Sequence, residues 1–144
     1  MHCSGGGGIV AFAAGVTNLE LMVARSWTVA GGGGTAIALT TNNQKLRSSM
    51  GTSLVNDMRV ASTAALTAGT KTLDAQPIGS ITSSTTATAG TPLWPAAYLY
   101  EINENDGMPI ILAANEGIIV RATVPATGTW TASLDVTWME LASY

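Results

Sequence analysis

The segment WTASLDVTWMEL, Trp130–Leu141, alternates with a period of two along most of its length. Trp130, Ala132, Leu134, Val136 and Trp138 fall on one parity, and Thr131, Ser133, Asp135 and Thr137 fall on the other. That period belongs to a strand, because a helix brings together residues three and four apart instead. A chain that carries such a strand must bury one of its faces against another sheet or a neighbouring molecule. The face of Trp130, Leu134, Val136 and Trp138 is therefore expected to form core or subunit interface. The Thr131–Thr137 face is expected to be solvated or packed on a neighbour. Just upstream, Ile118, Val120, Ala122 and Val124 alternate with Arg121 and Thr123, and PATG (125–128) supplies a turn. The spacing predicts a hairpin over Gly117–Leu141.

The same signal recurs along the chain. Leu19, Leu21, Val23, Trp27 and Val29 share one parity, interrupted by Arg25. AGGGGT (30–35) ends that strand, since glycine is costly inside regular structure, and AIALT (36–40) reads as a short strand. Only NNQKLRSSMGTSLVNDM (42–58) has helical spacing, with Leu46, Met50 and Leu54 four apart. Gly51 interrupts it, so one or two short helical turns are expected. Pro77 and Gly79 point to a bulge, an edge strand or a loop. In LWPAAYLYEI (93–102), Tyr98, Tyr100 and Ile102 alternate with Leu99 and Glu101. Many short strands with Gly, Pro and Asn turns and little helix predict an all-β fold: an antiparallel β-sandwich, jelly-roll-like. With 144 residues, one sandwich domain over 9–144 is expected. MHCSGGGG (1–8) carries no periodicity and reads as a flexible glycine-rich arm, with Cys3 a mobile thiol.

Composition narrows the function. Charged residues make up 10% of the chain, against about 25% in an ordinary globular domain. Charge maintains solubility, so a surface this poor in it suits a protein covered by neighbours. The net charge is −3 and no basic cluster occurs, so nucleic acid is not an expected partner. No apolar run approaches the roughly 18 residues of a membrane span, and GIVAFAAGV (8–16) lacks the basic flank of a secretory signal. A single cysteine and a single histidine, His2, give no basis for an internal disulfide, a His-dependent triad or a multi-histidine metal site. GGGGTA (31–36) fits the G-x-G-x-x-A spacing, with Asp57 at roughly the acidic position. The segment after it is β-rich, whereas the dinucleotide fingerprint requires a helix there. EINENDG (101–107) offers hard oxygen ligands but misses the EF-hand register. Glu20, Glu101, Glu116, Asp135 and Glu140 show no spacing that selects an acid–base pair. No cofactor, metal or small-molecule substrate is expected, and the chain does not read as an enzyme. Trp94, between Pro92 and Pro95, with Tyr98 and Tyr100, is the candidate exposed binding loop.

Three blocks occurring in order, AAGVTNLELMVARSWT, NNQKLRSSMGTSLVNDMRVASTAALTAGTKTLDAQPIG and PIILAANEGIIVRATVPATGTWTASLDVTWMEL, resemble small virion-associated proteins of tailed bacteriophages and prophages. The resemblance spans about residues 9–141. It implies a structural role without catalysis, as a capsid decoration, cement or accessory protein with a jelly-roll-like fold. The implied partners are copies of the chain and a major capsid or tail protein, and the implied location is the virion, assembled in the bacterial cytoplasm. Members of that group carry further β sequence where MHCSGGGG stands here. Either the start is abbreviated here or the fold is built differently, and strand addition by a neighbouring chain is one way to fill a sheet edge left open. Two alternatives remain open. One is a receptor- or glycan-binding sandwich of a phage fibre, and the other a subunit of an extracellular filament or tube.

Overall fold

The computed structural model describes residues 2–11, 15–39, 45, 49, 51–61, 64–85, 94–102, 108–126 and 129–141. Among these described residues nine strands follow in order: β1 (His2–Ala11), β2 (Gly15–Val29), β3 (Thr35–Ala36), β4 (Arg59–Val60), β5 (Thr70–Leu73), β6 (Gly79–Thr85), β7 (Trp94–Tyr100), β8 (Gly117–Thr123) and β9 (Thr129–Thr137). Among the described residues there is no helix. The helical turns expected over 42–58 fall partly outside those residues, and the described stretch 51–58 is irregular chain with no helical turn. Where one domain was expected over 9–144, contacts group the chain into two compact units. One comprises Met1–Arg25 and Leu73–Met139, the other Ser26–Thr72 and Glu140–Tyr144.

The first unit is a β-sandwich. One sheet has the order β7-β1-β9. In the other, β2 is central, paired with β6 over Gly15–Leu21 and with β8 over Asn18–Ala24. All of these pairings are antiparallel. The inner faces meet in a cluster of Cys3, Leu19, Leu21 and Leu99, flanked by Ile81, Tyr100, Ile118, Val120 and Val136. The alternation of β2 is the cause on one side: Thr17, Leu19 and Leu21 are buried with half-buried Asn18 and Glu20 between them, as period-two burial requires, and from Leu21 to Ala24 both faces are buried. On the outer face of that sheet, opposed residues pair by polarity. Arg121 donates to Glu20 at 2.8 Å and Thr82 to Asn18 at 2.9 Å, both directly across the ladder.

Two expectations need correction here. The strands expected over Gly117–Leu141 exist, but they are not a hairpin. β8 pairs with β2 and β9 pairs with β1, so the link at 124–128 carries the chain from one sheet to the other. Alternation reports which face of a strand is apolar. Two apolar faces are satisfied equally well side by side or across a core. The second correction concerns the expected arm. From His2 onward it is β1, the central strand of its sheet, paired on both sides. Cys3, Gly5 and Gly7 stand opposite Val136, Leu134 and Ala132. Glycine has no side chain to register a period, so this strand is held chiefly by its two backbone ladders and is silent in the sequence. Cys3, expected to be mobile, is fully buried, and burial followed by the charge of Asp135 pushes its thiol pKa up.

The sandwich closes at the β6–β7 side. A Cβ on Gly79 would collide with the carbonyl oxygen of Leu99 and lie 2.8 Å from its carbonyl carbon. Only glycine allows the two backbones to approach this closely.

The second unit contains the two-stranded pair β3–β4. Its glycine run packs backbone to backbone against 65–67: the Thr67 amide donates to Gly32 O at 2.9 Å, and Gly33 bridges Leu66. Gly34, at φ 56, combines a left-handed backbone with contact against the Val60 carbonyl, which explains the glycine there. Lys71 lies 4.9 Å from the Trp27 ring centroid, within cation–π range.

Candidate functional site

One open strand edge of the first unit is the outer edge of β9; in the other sheet β8 likewise pairs only with β2 among the described residues. An edge strand offers a row of backbone donors and acceptors to any incoming strand. Natural edges are normally guarded by proline, charge, bulges or short length. The two edges of the β7-β1-β9 sheet differ in that respect. β7 contains Pro95, and its register against β1 slips twice. Cys3 faces Tyr100 while Ser4 faces Tyr98, so Leu99 is an extra residue between them. This bulge explains how consecutive Leu99 and Tyr100 both reach the core. β9 has no proline and is not short, and the one irregularity in its pairing, between Ile9 and Ala11, lies at its start. Its register with β1 runs unbroken from His2↔Thr137 to Ile9↔Trp130. It spans nine residues with no proline, and Asp135 is its one charged residue. Among the described residues it pairs only with β1.

The sequence-selected residues of this strand divide by depth. Val136, opposite Cys3, packs on the core cluster. Leu134, opposite Gly5, remains 38% exposed. Trp130 lies opposite Ile9, and its side chain falls outside the described residues. Trp138 follows the end of β9 and is half-buried. The candidate binding loop at Trp94, Tyr98 and Tyr100 is instead strand β7. Tyr98 is 59% exposed and shares the outer row of Ser4 and Asp135. Tyr100 is not an exposed binding residue: it packs on the core and its hydroxyl donates to the Met108 carbonyl. The side chain of Trp94 is outside the described residues.

Five of the described carboxylates, Glu20, Asp57, Asp74, Glu116 and Glu140, are committed to structural contacts. Arg25 bridges Asp74 at 2.8 Å and Glu116 at 2.7 Å, tying β2 to the segments that lead into β6 and β8. Glu116 also accepts from the Ala113 amide at 3.0 Å, and that backbone bond, ahead of Arg25, holds its carboxyl below the usual range. In the second unit Glu140 accepts from the Ser53 hydroxyl at 2.6 Å and from the Leu54 amide, and Asp57 is ion-paired with Arg59 at 2.9 Å. The expected calcium-like turn lies mostly outside the described residues. Among the described residues, no group of three or more His, Cys, Asp or Glu could hold a metal, and no helix is long and apolar enough to cross a membrane. A cleft of about 270 Å³ in the second unit is bounded by Ala36–Leu39 and by Ser53 and Val55–Met58.

Sequence reasoning found β9 but missed β1, the strand that positions it. No periodic signal could have revealed a strand whose inner face, after Cys3, runs through Gly5 and Gly7. A scan against protein-family models, a search of curated proteins and a search of solved structures each return no match to this chain.

Proposed function

We propose that this chain is a structural subunit that assembles with copies of itself through strand edges. The sequence resemblance sets the context: a decoration, cement or accessory protein of a phage virion, seated on a capsid or tail protein. The observation that carries the assembly reading is the unguarded β9 edge, nine residues long with a single charge. Two further features support it. Charged residues are only 10% of the chain, and large apolar side chains stand in solvent, including Met108 at 85% and Met139 at 76% exposed. Burying such groups between subunits provides the hydrophobic driving force for association.

The test is size-exclusion chromatography with light scattering, followed by negative-stain imaging. A closed oligomer or an extended polymer is expected; closed rings and open filaments differ only in whether the contact rotation closes. A stable monodisperse monomer at high concentration refutes the reading. A second reading, glycan binding, is favoured by one observation: exposed Tyr98 beside Ser4 and Asp135 pairs an apolar ring with polar groups on one face. Saturable sugar binding lost in Tyr98→Ala would support it.

A further inference from the structure

We infer that two copies of the chain pair β9 against β9, antiparallel, about a two-fold axis through Ser133, so that two three-stranded sheets become one continuous sheet. This rests on the assembly reading and specifies its contact. Three arguments select this register.

The first is parity. Side chains directly opposite each other in a ladder share a face. The apolar parity of β9 (Ala132, Leu134, Val136) lies on the core side, opposite Gly7, Gly5 and Cys3. The partner strand must match apolar with apolar, so the axis has to pass through a residue and not between two residues. The second is length. An axis through Ser133, the midpoint of Thr129–Thr137, pairs every residue of the strand, Thr129 with Thr137 through to Thr137 with Thr129. Any other residue on the axis leaves part of each edge unpaired, so fewer ladder hydrogen bonds and cross-strand pairs form. The third is charge. In this register Asp135 of one copy faces Thr131 of the other. An axis through Asp135 would set two carboxylates directly opposite each other, which destabilises a strand pair. The contact also brings Leu134, now 38% exposed, opposite Ala132 of the second copy, continuing the apolar face across the junction. It is isologous, as a two-fold contact must be. The β7 edge, with Pro95 and two register slips, is unsuited to the same pairing.

The test uses the full chain with single cysteines on the exposed face of β9. Ser133→Cys places two thiols across the axis. Thr137→Cys places them eight residues apart along the ladder, about 27 Å at the antiparallel rise of about 3.4 Å per residue. Both positions are exposed, and the unchanged chain, with buried Cys3, is the background control. Under mild oxidation, Ser133→Cys is expected to give a disulfide-linked dimer on non-reducing gels and Thr137→Cys none. Charge complementation provides an independent readout. Ser133→Lys and Ser133→Asp are each expected to dimerise several-fold more weakly than wild type, and an equimolar mixture to recover the dimer as a mixed pair. An oligomer in which Thr137→Cys cross-links as readily as Ser133→Cys overturns the register and leaves the assembly reading standing. So does an oligomer in which the mixture fails to rescue. A wild-type monomer overturns both.

Discussion

Gly79→Ala is the perturbation whose outcome follows most directly from the packing. An added Cβ lies 2.8 Å from the Leu99 carbonyl carbon and closer to its oxygen. Unstrained carbon–carbon contacts sit at about 3.5–4.0 Å, so relieving the carbon contact alone requires β6 and β7 to part by about 1 Å, and the tighter oxygen contact requires more. The obstructing atoms are backbone, held by the β7 ladder, and cannot rotate away as a side-chain tip would. Overpacking of this kind costs about 1–3 kcal/mol. Alanine also restricts the unfolded chain, which offsets about 0.4–1 kcal/mol. The net expectation is a loss of about 1–2 kcal/mol. Gly51→Ala is the internal control. Nothing lies within 4 Å of a Cβ there, so only the unfolded-state effect remains, and a gain of about 0.4–1 kcal/mol is expected. Urea unfolding followed by tryptophan fluorescence, at one chain concentration, measures both. The same chemical change should move the midpoint in opposite directions. A Gly79→Ala protein as stable as wild type would refute the close approach of β6 to β7. Equal losses in the two variants would show that the contact is not the cause.

Three further outcomes are expected. Val136→Asp sets a carboxylate against the core cluster opposite Cys3 and should cost more than about 2 kcal/mol, from lost apolar burial plus an unpaired charge; soluble, correctly assembled variant protein would show that this face of β9 is not buried. Thr17 is 1% exposed and its hydroxyl has no hydrogen-bond partner among the described residues, so isosteric Thr17→Val should gain about 1 kcal/mol in urea unfolding, and a loss would indicate a bonded hydroxyl. The Cys3 thiol has its pKa raised by burial, then by Asp135. Its stabilising contribution is therefore complete below the unfolded thiol pKa, about 8.5, and declines as pH rises through that value towards the folded one. Wild type should lose stability on this alkaline limb faster than Cys3→Ala, and native Cys3 should resist alkylation until the chain unfolds; parallel limbs with rapid labelling would contradict its burial.

Alternation was enough to determine that β2, β8 and β9 are strands and which parity of each is apolar. Leu19, Leu21, Ile118, Val120 and Val136 meet in the core for the reason visible in their spacing. The scarcity of charge, likewise a property of sequence alone, bears on what the surface can tolerate. Hydrogen-bond partnership was not legible in the same way. β8 and β9 read as a hairpin and are instead split between two sheets. Period two is a local property of a strand, whereas pairing is decided by which backbone ladder closes at long range. β1 was hidden because Gly5 and Gly7 carry no side chain to mark a face; tertiary structure alone makes them the centre of a sheet, with β7 and β9 supplying the ladders on either side. The character of the β9 edge was half legible. Its missing proline and single charge stand in the sequence, but only the fold decides that β9 lies at an edge rather than in the middle, and an edge is where unpaired backbone becomes a site.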